Sequence, residues 1–377
     1  MTLFNYIVWD PNKEIFRLPI NDHPIVWYGL LFAMAFIIGQ QIMFYIFKSE
    51  NKTRQDVETL TLYMVIATVI GARLGHCLFY DPLYYLQNPL DILKVWEGGL
   101  ASHGAAIGIL TCIYIYSRKK AGQSYLWVVD RVAIIVALAG SLIRFGNFIN
   151  SEIVGLPTDS SNGVVFARVL EEAVEADQFI KKAEASKASP AIDSLDMTAP
   201  VLLRLEFNAA MGQAEATGYL QNRLKNILIS LSSRSDPHVK YSTEEPLAYR
   251  LVPSTGGGLA AEVLIEGIPR HPAQLYESIS SLLLFFFLLY LWSRKKAETP
   301  EGLIFSLFLI ILFGLRFVYE FFKENQKAFE DDIPLNMGQW LSIPLIIAGI
   351  ILIFRVIKEQ KVKVPDHNLV RPRGDNE

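Results

Sequence analysis

Arg144-Phe145-Gly146-Asn147-Phe148-Ile149-Asn150-Ser151-Glu152-Ile153-Val154-Gly155 follows an apolar run that begins at Val132. A cation, two amides, a carboxylate and two glycines thus crowd the end of a segment composed like a membrane helix. A charge at the bilayer centre costs about 3 kcal/mol on insertion scales and less near the interface, so such a cluster points to a functional site. The plainer reading is an arginine snorkelling to the headgroups beside a capped helix end. Arg144, Asn147, Asn150 and Glu152 together exceed what that reading explains.

Outward from this stretch, apolar runs at residues 25–47, 60–80, 101–116, 128–148, 275–292, 303–322 and 340–357 predict about seven transmembrane helices. Most approach the ~20 residues needed to cross a hydrocarbon core; residues 101–116 are short. The chain has 377 residues, is 51% hydrophobic and has a mean hydropathy of +0.28. The expected fold class is an all-α polytopic membrane protein, because lipid tolerates only backbones whose hydrogen bonds are closed internally. The net charge of −3 decides nothing about partners, but its distribution orients the chain. Lys48, Lys52 and Arg54 follow the first run, Arg118, Lys119 and Lys120 the third, and Arg294, Lys295 and Lys296 the fifth. Arg355, Lys358, Lys361 and Lys363 lie at and beyond the end of the seventh, whereas Lys94 is alone in the loop 81–99. The positive-inside rule then places the N-terminus outside and the C-terminus in the cytoplasm. The first run is longer than a signal peptide's apolar core and follows Asp10, Lys13, Arg17 and Asp22, so no cleavable signal is expected. Cys77 and Cys112 read as buried apolar fillers, neither a disulfide nor a metal pair.

Five regions follow. Residues 1–24 are an external, interfacial segment; 25–155 carry helices one to four and the opening stretch; 156–269 form an extracytoplasmic insert of mixed, partly helical structure. Residues 270–358 carry helices five to seven, and 359–377 are a disordered cytoplasmic tail. Within the insert, residues 167–186, rich in Ala, Glu and Lys, and residues 213–232, with apolar spacing of about 3.6, read as helices.

On this topology the unusual side chains gather at the outer ends of helices. Tyr28 follows Trp27, a pair that alone reads as an aromatic belt anchor. His103 enters the third run from outside, and a lone histidine is as readily structural as functional. Arg144 and Asn147 share a helical face. Tyr276 and Glu277 begin the fifth run, and Arg316 and Glu320, four apart, could simply pair with each other. Arg73, between Gly71 and Gly75, reads most plainly as paired with a carboxylate inside the bundle; Asp130 and Arg131 read as structural. Each group has its bland explanation, but their delivery to one leaflet by five helices does not.

These residues resemble the prolipoprotein diacylglyceryl transferases. The family signature, Arg-Ile-Gly-Asn-Phe-x-Asn-x-Glu-x-x-Gly, is filled by Arg144 to Gly155 with Phe145 in the second place. Trp27-Tyr28-Gly29, Gly71-Ala72-Arg73-Leu74-Gly75, Gly98-Gly99 through Ser102-His103-Gly104, Arg270-His271-Pro272-Ala273-Gln274-Leu275-Tyr276-Glu277, and Arg316-Phe317 with Glu320-Phe321 follow in family order. The chain departs in two places. Ala101-Ser102-His103-Gly104-Ala105 replaces Ser-Phe-His-Gly-Gly, and about a hundred residues (167–267) stand where the family has a short connection.

The resemblance implies transfer of diacylglycerol from phosphatidylglycerol to the lipobox cysteine of a preprolipoprotein. The products would be a thioether and glycerol phosphate, made at the outer leaflet of the bacterial inner membrane as the first step of lipoprotein maturation. The implied partners are that lipid and that signal peptide; no nucleic acid, metal or organic cofactor is expected. Arginine suits a phosphodiester because its planar fork grips two oxygens and stays charged, so Arg144 and Arg316 are the expected phosphate clamps. His103 is the candidate base for a thiol whose reference pKa is about 8.5. Tyr28, Arg73, Gly104, Asn147, Asn150, Glu152, Gly155, Tyr276, Glu277 and Glu320 are the expected substrate contacts. Two other classes compete. An anion transporter predicts polar groups at the midplane and matched halves; a scaffold predicts that deleting the insert removes all function.

Overall fold

The computed structural model describes residues 6–19, 22–160, 162–188, 198–208, 211–234, 236–242, 244, 246–254, 257–324 and 334–363. Three short strands come first: β1 (Tyr6–Trp9), β2 (Glu14–Arg17) and β3 (Pro24–Val26). Helices α1 (Trp27–Ser49), α2 (Arg54–Phe79), α3 (Pro82–Gln87), α4 (Ser102–Lys119) and α5 (Tyr125–Ile149) follow. Then come β4 (Gly163–Phe166), α6 (Arg168–Glu175), β5 (Ile180–Lys187), β6 (Ala199–Phe207), α7 (Gln213–Gly218), α8 (Lys225–Ser232), β7 (Val239–Lys240), β8 (Tyr249–Pro253) and β9 (Leu259–Gly267). Helices α9 (Ala273–Lys295), α10 (Leu303–Tyr319) and α11 (Met337–Lys363) complete the described chain. Residues 364–377, most of the expected disordered tail, lie outside the described residues; residues 359–363 continue α11.

The chain divides into two compact units: Met1–Gly29 with Arg144–Glu277 and Val318–Asn336, and Leu30–Ile143 with Ser278–Phe317 and Met337–Glu377. The second unit is helical. Among the described residues, six helices are long and apolar enough to cross a membrane, namely α1, α2, α5, α9, α10 and α11. The run at 101–116, expected as a further crossing, forms α4 but is not among those six. It packs antiparallel on α2: Ala101 N–H donates to Ala72 O at 2.9 Å at one end, and Lys120 pairs with Asp56 at 2.6 Å at the other. The backbones nearly touch, since a Cβ on Gly75 would lie 2.6 Å from Gly104 Cα and one on Gly108 2.6 Å from Ala67 O. Small residues let membrane helices approach this closely. Gly104, expected at substrate, is therefore placed in this helix–helix interface.

The core of the helical unit holds Ile46, Phe47, Val128, Ile134, Leu288, Trp292 and Ile304. Set into it is a buried polar cluster. Arg131 Nη2 donates to both Glu50 oxygens at 2.9 Å, and the same carboxylate accepts from Trp127 Nε1 at 2.8 Å and Trp292 Nε1 at 2.5 Å. Asp130 accepts the Gly302 and Phe305 amides at 2.8 Å, satisfying donors at the start of α10 that have no partner within the helix. Both residues thus have the structural place their position suggested.

The other unit corrects the all-α expectation. Five strands form an antiparallel sheet in the order β5-β6-β9-β7, with β8 also on β9. In β6, Val201, Leu203, Leu205 and Phe207 are buried while Leu202, Arg204 and Glu206 are less so, the period of two that defines a half-buried strand. Residues 213–232 are helical as expected, through α7, a π-helical turn at Tyr219–Leu224 and α8. Residues 167–186 are helical only to Glu175; β5 then follows as an edge strand. Tertiary pairing overrides the helix propensity of its Ala, Glu and Lys. Edge amides need partners, and α6 supplies them: Glu175 accepts Ala183 N–H at 2.8 Å and Glu171 accepts Ala185 N–H at 2.6 Å. Residues 6–9 pair as β1 in parallel with β4, with Tyr6 buried.

Candidate active site

The opening stretch lies in the unit that carries the sheet. Arg144 and Asn147 occupy the last turns of α5, and Asn150 to Gly155 turn back immediately after it. Ser151 and Ile153 both take φ of +56°, a conformation unfavourable for a β-branched residue and found where surrounding structure enforces it. The enforcing contacts are visible. Gln274, buried on α9, donates to Glu152 O at 2.6 Å, and Glu152 N–H donates to Asn147 O at 3.0 Å. Trp9 Nε1 donates to Phe148 O at 2.9 Å, satisfying one of the last carbonyls of α5.

This turn puts the polar side chains into one network. Arg144 Nε meets Glu277 Oε2 at 2.5 Å, and its Nη1 faces Asn147 Oδ1 at 3.4 Å. Asn147 Nδ2 donates to Glu152 Oε2 at 3.1 Å, and Asn150 Nδ2 to Glu152 Oε1 at 3.2 Å. Glu152 thus ties both asparagines, while Glu277 orients the guanidinium. Tyr28 packs its ring on Gly146, where a Cβ would come within 2.9 Å of Tyr28 Cδ2; only glycine admits that approach. Tyr276 meets His271 Nδ1 through its hydroxyl at 3.2 Å.

Gly155, expected at substrate, serves the backbone. Its N–H donates to His271 O at 3.0 Å, and a Cβ there would lie 2.5 Å from that oxygen and 2.8 Å from Phe322 O. It also bridges antiparallel to Lys323. That lysine is buried, pairs with Glu277, and meets Glu320 Oε1 at 3.1 Å. Asn336 donates to Glu320 Oε2 at 3.3 Å. Lys323, Gln274, Asn336 and Trp9 were not singled out from the sequence. For Lys323 the available signal was its i, i+3 spacing from Glu320.

Asp236, His238 and Glu324 in the same unit bring donor atoms within 4.8 Å of one another. The buried Arg270 already pairs with Glu324. Burial, and then the charge of Arg270, hold His238 down at about 4. The imidazole is therefore neutral near neutrality, beside the Arg270–Glu324 ion pair.

The remaining expected residues belong to the helical unit. His103, in the first turn of α4, has a buried Nε2 without a hydrogen-bond partner, and the Phe79 ring stands edge-on at 5.0 Å between centroids. Among the described residues, Arg73 is not paired with a carboxylate side chain. Its guanidinium donates to main-chain carbonyls, at 2.5 Å to Asp91, 2.9 Å to Ile92 and 2.7 Å to Gly98. It is buried and organises the loop between α2 and α4. Arg316 lies in the last turn of α10 and is half-buried.

Residues 14–355 match the family model described as prolipoprotein diacylglyceryl transferase. Similar curated proteins named phosphatidylglycerol–prolipoprotein diacylglyceryl transferase occur in Chloroherpeton thalassium, at 35% identity over 96% of this chain and 99% of that one. The protein of that name from Tolumonas auensis is 34% identical over 94% and 99%, and the Porphyromonas gingivalis protein 35% over 95% and 97%. These proteins cover the insert as well, so its length is shared with relatives. A signature that folds into one arginine–asparagine–glutamate network, within a chain matched almost end to end, places the protein in the prolipoprotein diacylglyceryl transferase family.

Proposed function

We propose that Arg144, held through Nε by Glu277, presents its remaining guanidinium edge to the phosphodiester of phosphatidylglycerol. The protein is a transferase that moves the diacylglyceryl group from this lipid to a prolipoprotein cysteine. The reaction is substitution at a glycerol carbon: the thiolate forms a C–S bond, the C–O bond to phosphate breaks, and its electron pair leaves on glycerol phosphate. Negative charge collects on the departing oxygens, and a preorganised cation stabilises it without reorganising at the moment of reaction. Arg316 is the second phosphate clamp in this reading. His103 accepts the thiol proton; its buried, unpaired Nε2 supports that role. Asn147, Asn150 and Glu152 hold the headgroup side of the site, with Tyr28, Tyr276 and Glu320 as further contacts.

The same reading has seven crossings. Helix α4 has 18 residues, about 27 Å at 1.5 Å each, and runs alongside α2 from Asp56 to Gly75. Its basic end, Arg118 to Lys120, is then cytoplasmic and His103 external. The N-terminus and residues 156–269 lie outside the bacterial inner membrane, and the site faces the outer leaflet.

The Arg144–Glu277 pair within the signature network is the observation that carries this proposal. The test is purified protein with phosphatidylglycerol and a lipobox peptide, read by mass spectrometry. A diacylglyceryl adduct on cysteine is expected; its absence, with lipid and peptide shown to be intact and accessible, would overturn the reading.

A further inference from the structure

Lys323 is one of the most deeply buried charged side chains of its unit, at 4% exposure. Lysine is almost never buried unless paired, and here its ammonium is shared between Glu277 of α9 and Glu320 in the turn that follows α10. Its backbone is fixed as well: Lys323 bridges to Gly155, and Leu156 N–H donates to Phe322 O at 2.8 Å. The result is a continuous ionic chain, Arg144–Glu277–Lys323–Glu320, in which two cations balance two carboxylates.

We infer that Lys323 is a positioning residue for the transfer, keeping the Glu277 carboxylate aimed at Arg144; this rests on the phosphatidylglycerol reading above. Lys323 has almost no exposed surface from which to touch a substrate, so its effect runs through Glu277. Removing its charge leaves Glu277 and Glu320 around one vacated position. The two carboxylates then repel one another across that position, which turns Glu277 away from Arg144. Among the charged groups facing Glu277 are Arg144 from α5 and Lys323 from the turn after α10, with Glu320 on the other side of that lysine. Arg144 and Lys323 hold the carboxylate between them.

The experiment compares full-length wild type, Lys323→Met and Lys323→Arg, with folding followed by thermal unfolding. Transfer to a lipobox peptide is measured as kcat and KM, and the setting of the Glu277 carboxylate by its infrared stretching bands, with Glu277→Gln assigning them. Lys323→Met should lower kcat by about tenfold or more and shift the Glu277 bands. Lys323→Arg, which preserves the charge, should leave both near wild type. Unmoved Glu277 bands in Lys323→Met overturn the inference, as does an equal shift in Lys323→Arg. The infrared arm decides this even if the wild type forms no adduct, a result that would count against the lipid-transfer reading instead. If Lys323→Met does not fold, Lys323→Gln carries the same comparison.

Discussion

Replacing Arg144 with lysine keeps the charge and removes the fork. In the structure the guanidinium serves two directions at once: Nε is committed to Glu277 at 2.5 Å, while Nη1 lies 3.4 Å from Asn147 Oδ1. The side chain retains 23% exposure, so part of the guanidinium edge is open to a headgroup. A lysine ammonium is a point donor on a flexible stem. Drawn to Glu277, it cannot also span two phosphate oxygens. Each charge-assisted hydrogen bond contributes about 1.5–3 kcal/mol, so losing two removes about 3–6 kcal/mol from the transition state. That corresponds to roughly a 10²–10⁴-fold fall in kcat/KM. The assay is the initial rate of peptide adduct formation under saturating lipid and then under limiting lipid, with thermal unfolding as a control for folding. If the interaction strengthens as the phosphate leaves, kcat falls with kcat/KM. A folded Arg144→Lys protein within about threefold of wild type would refute the argument that a planar, anchored guanidinium is required.

Other outcomes follow from single features of the structure. His103→Ala should lower kcat with KM little changed, since it removes a proton acceptor rather than a lipid contact; a near-normal rate would make His103 structural. Glu50→Gln should leave Arg131 buried with only Asp130, 3.7 Å away, as counter-charge, a loss of about 3 kcal/mol, read as a lower Tm in detergent; an unchanged Tm would contradict the buried-pair account. Glu171 provides a pH signature outside the membrane spans. Burial, then its hydrogen bond and repulsion with Asp10, raise its carboxyl above the ordinary 4.5. The folded state therefore holds a proton that the unfolded state has lost. This contribution is fully present below about pH 4.5 and is lost as pH rises through the raised value. The stability difference between wild type and Glu171→Gln should thus widen, to the disadvantage of wild type, as pH rises toward neutrality. A difference independent of pH would refute it.

What the sequence made legible depended on how strongly local pattern constrained structure. Six long apolar runs could only be helices, since a membrane leaves their backbones no other partner. Arg144, Asn147 and Asn150 could be grouped because helical spacing and one sharp turn connect them. The sheet was missed for the opposite reason. Residues 180–187 are Ile-Lys-Lys-Ala-Glu-Ala-Ser-Lys, helix formers by propensity, and they become a strand only because β6 pairs with one edge and Glu171 and Glu175 cap the other. The alternation in Val201-Leu202-Leu203-Arg204-Leu205-Glu206-Phe207 was the stronger clue. Arg73 shows a similar limit: an intramembrane cation suggests a carboxylate, but backbone carbonyls from a loop up to 25 residues away satisfy it. Lys323 closes an apolar run and so resembles an interfacial snorkel. Only the fold reveals that its ammonium points inward to two carboxylates.

The central claim is that Arg144, held by Glu277, carries the chemistry of diacylglyceryl transfer. It is tested most directly by a time course of purified wild type and Arg144→Ala with phosphatidylglycerol and a lipobox peptide, following peptide adduct and glycerol phosphate together. The account predicts that wild type forms both products in equal amounts, and that folded Arg144→Ala forms neither above background. Comparable transfer by Arg144→Ala, or glycerol phosphate released without an adduct, would contradict it.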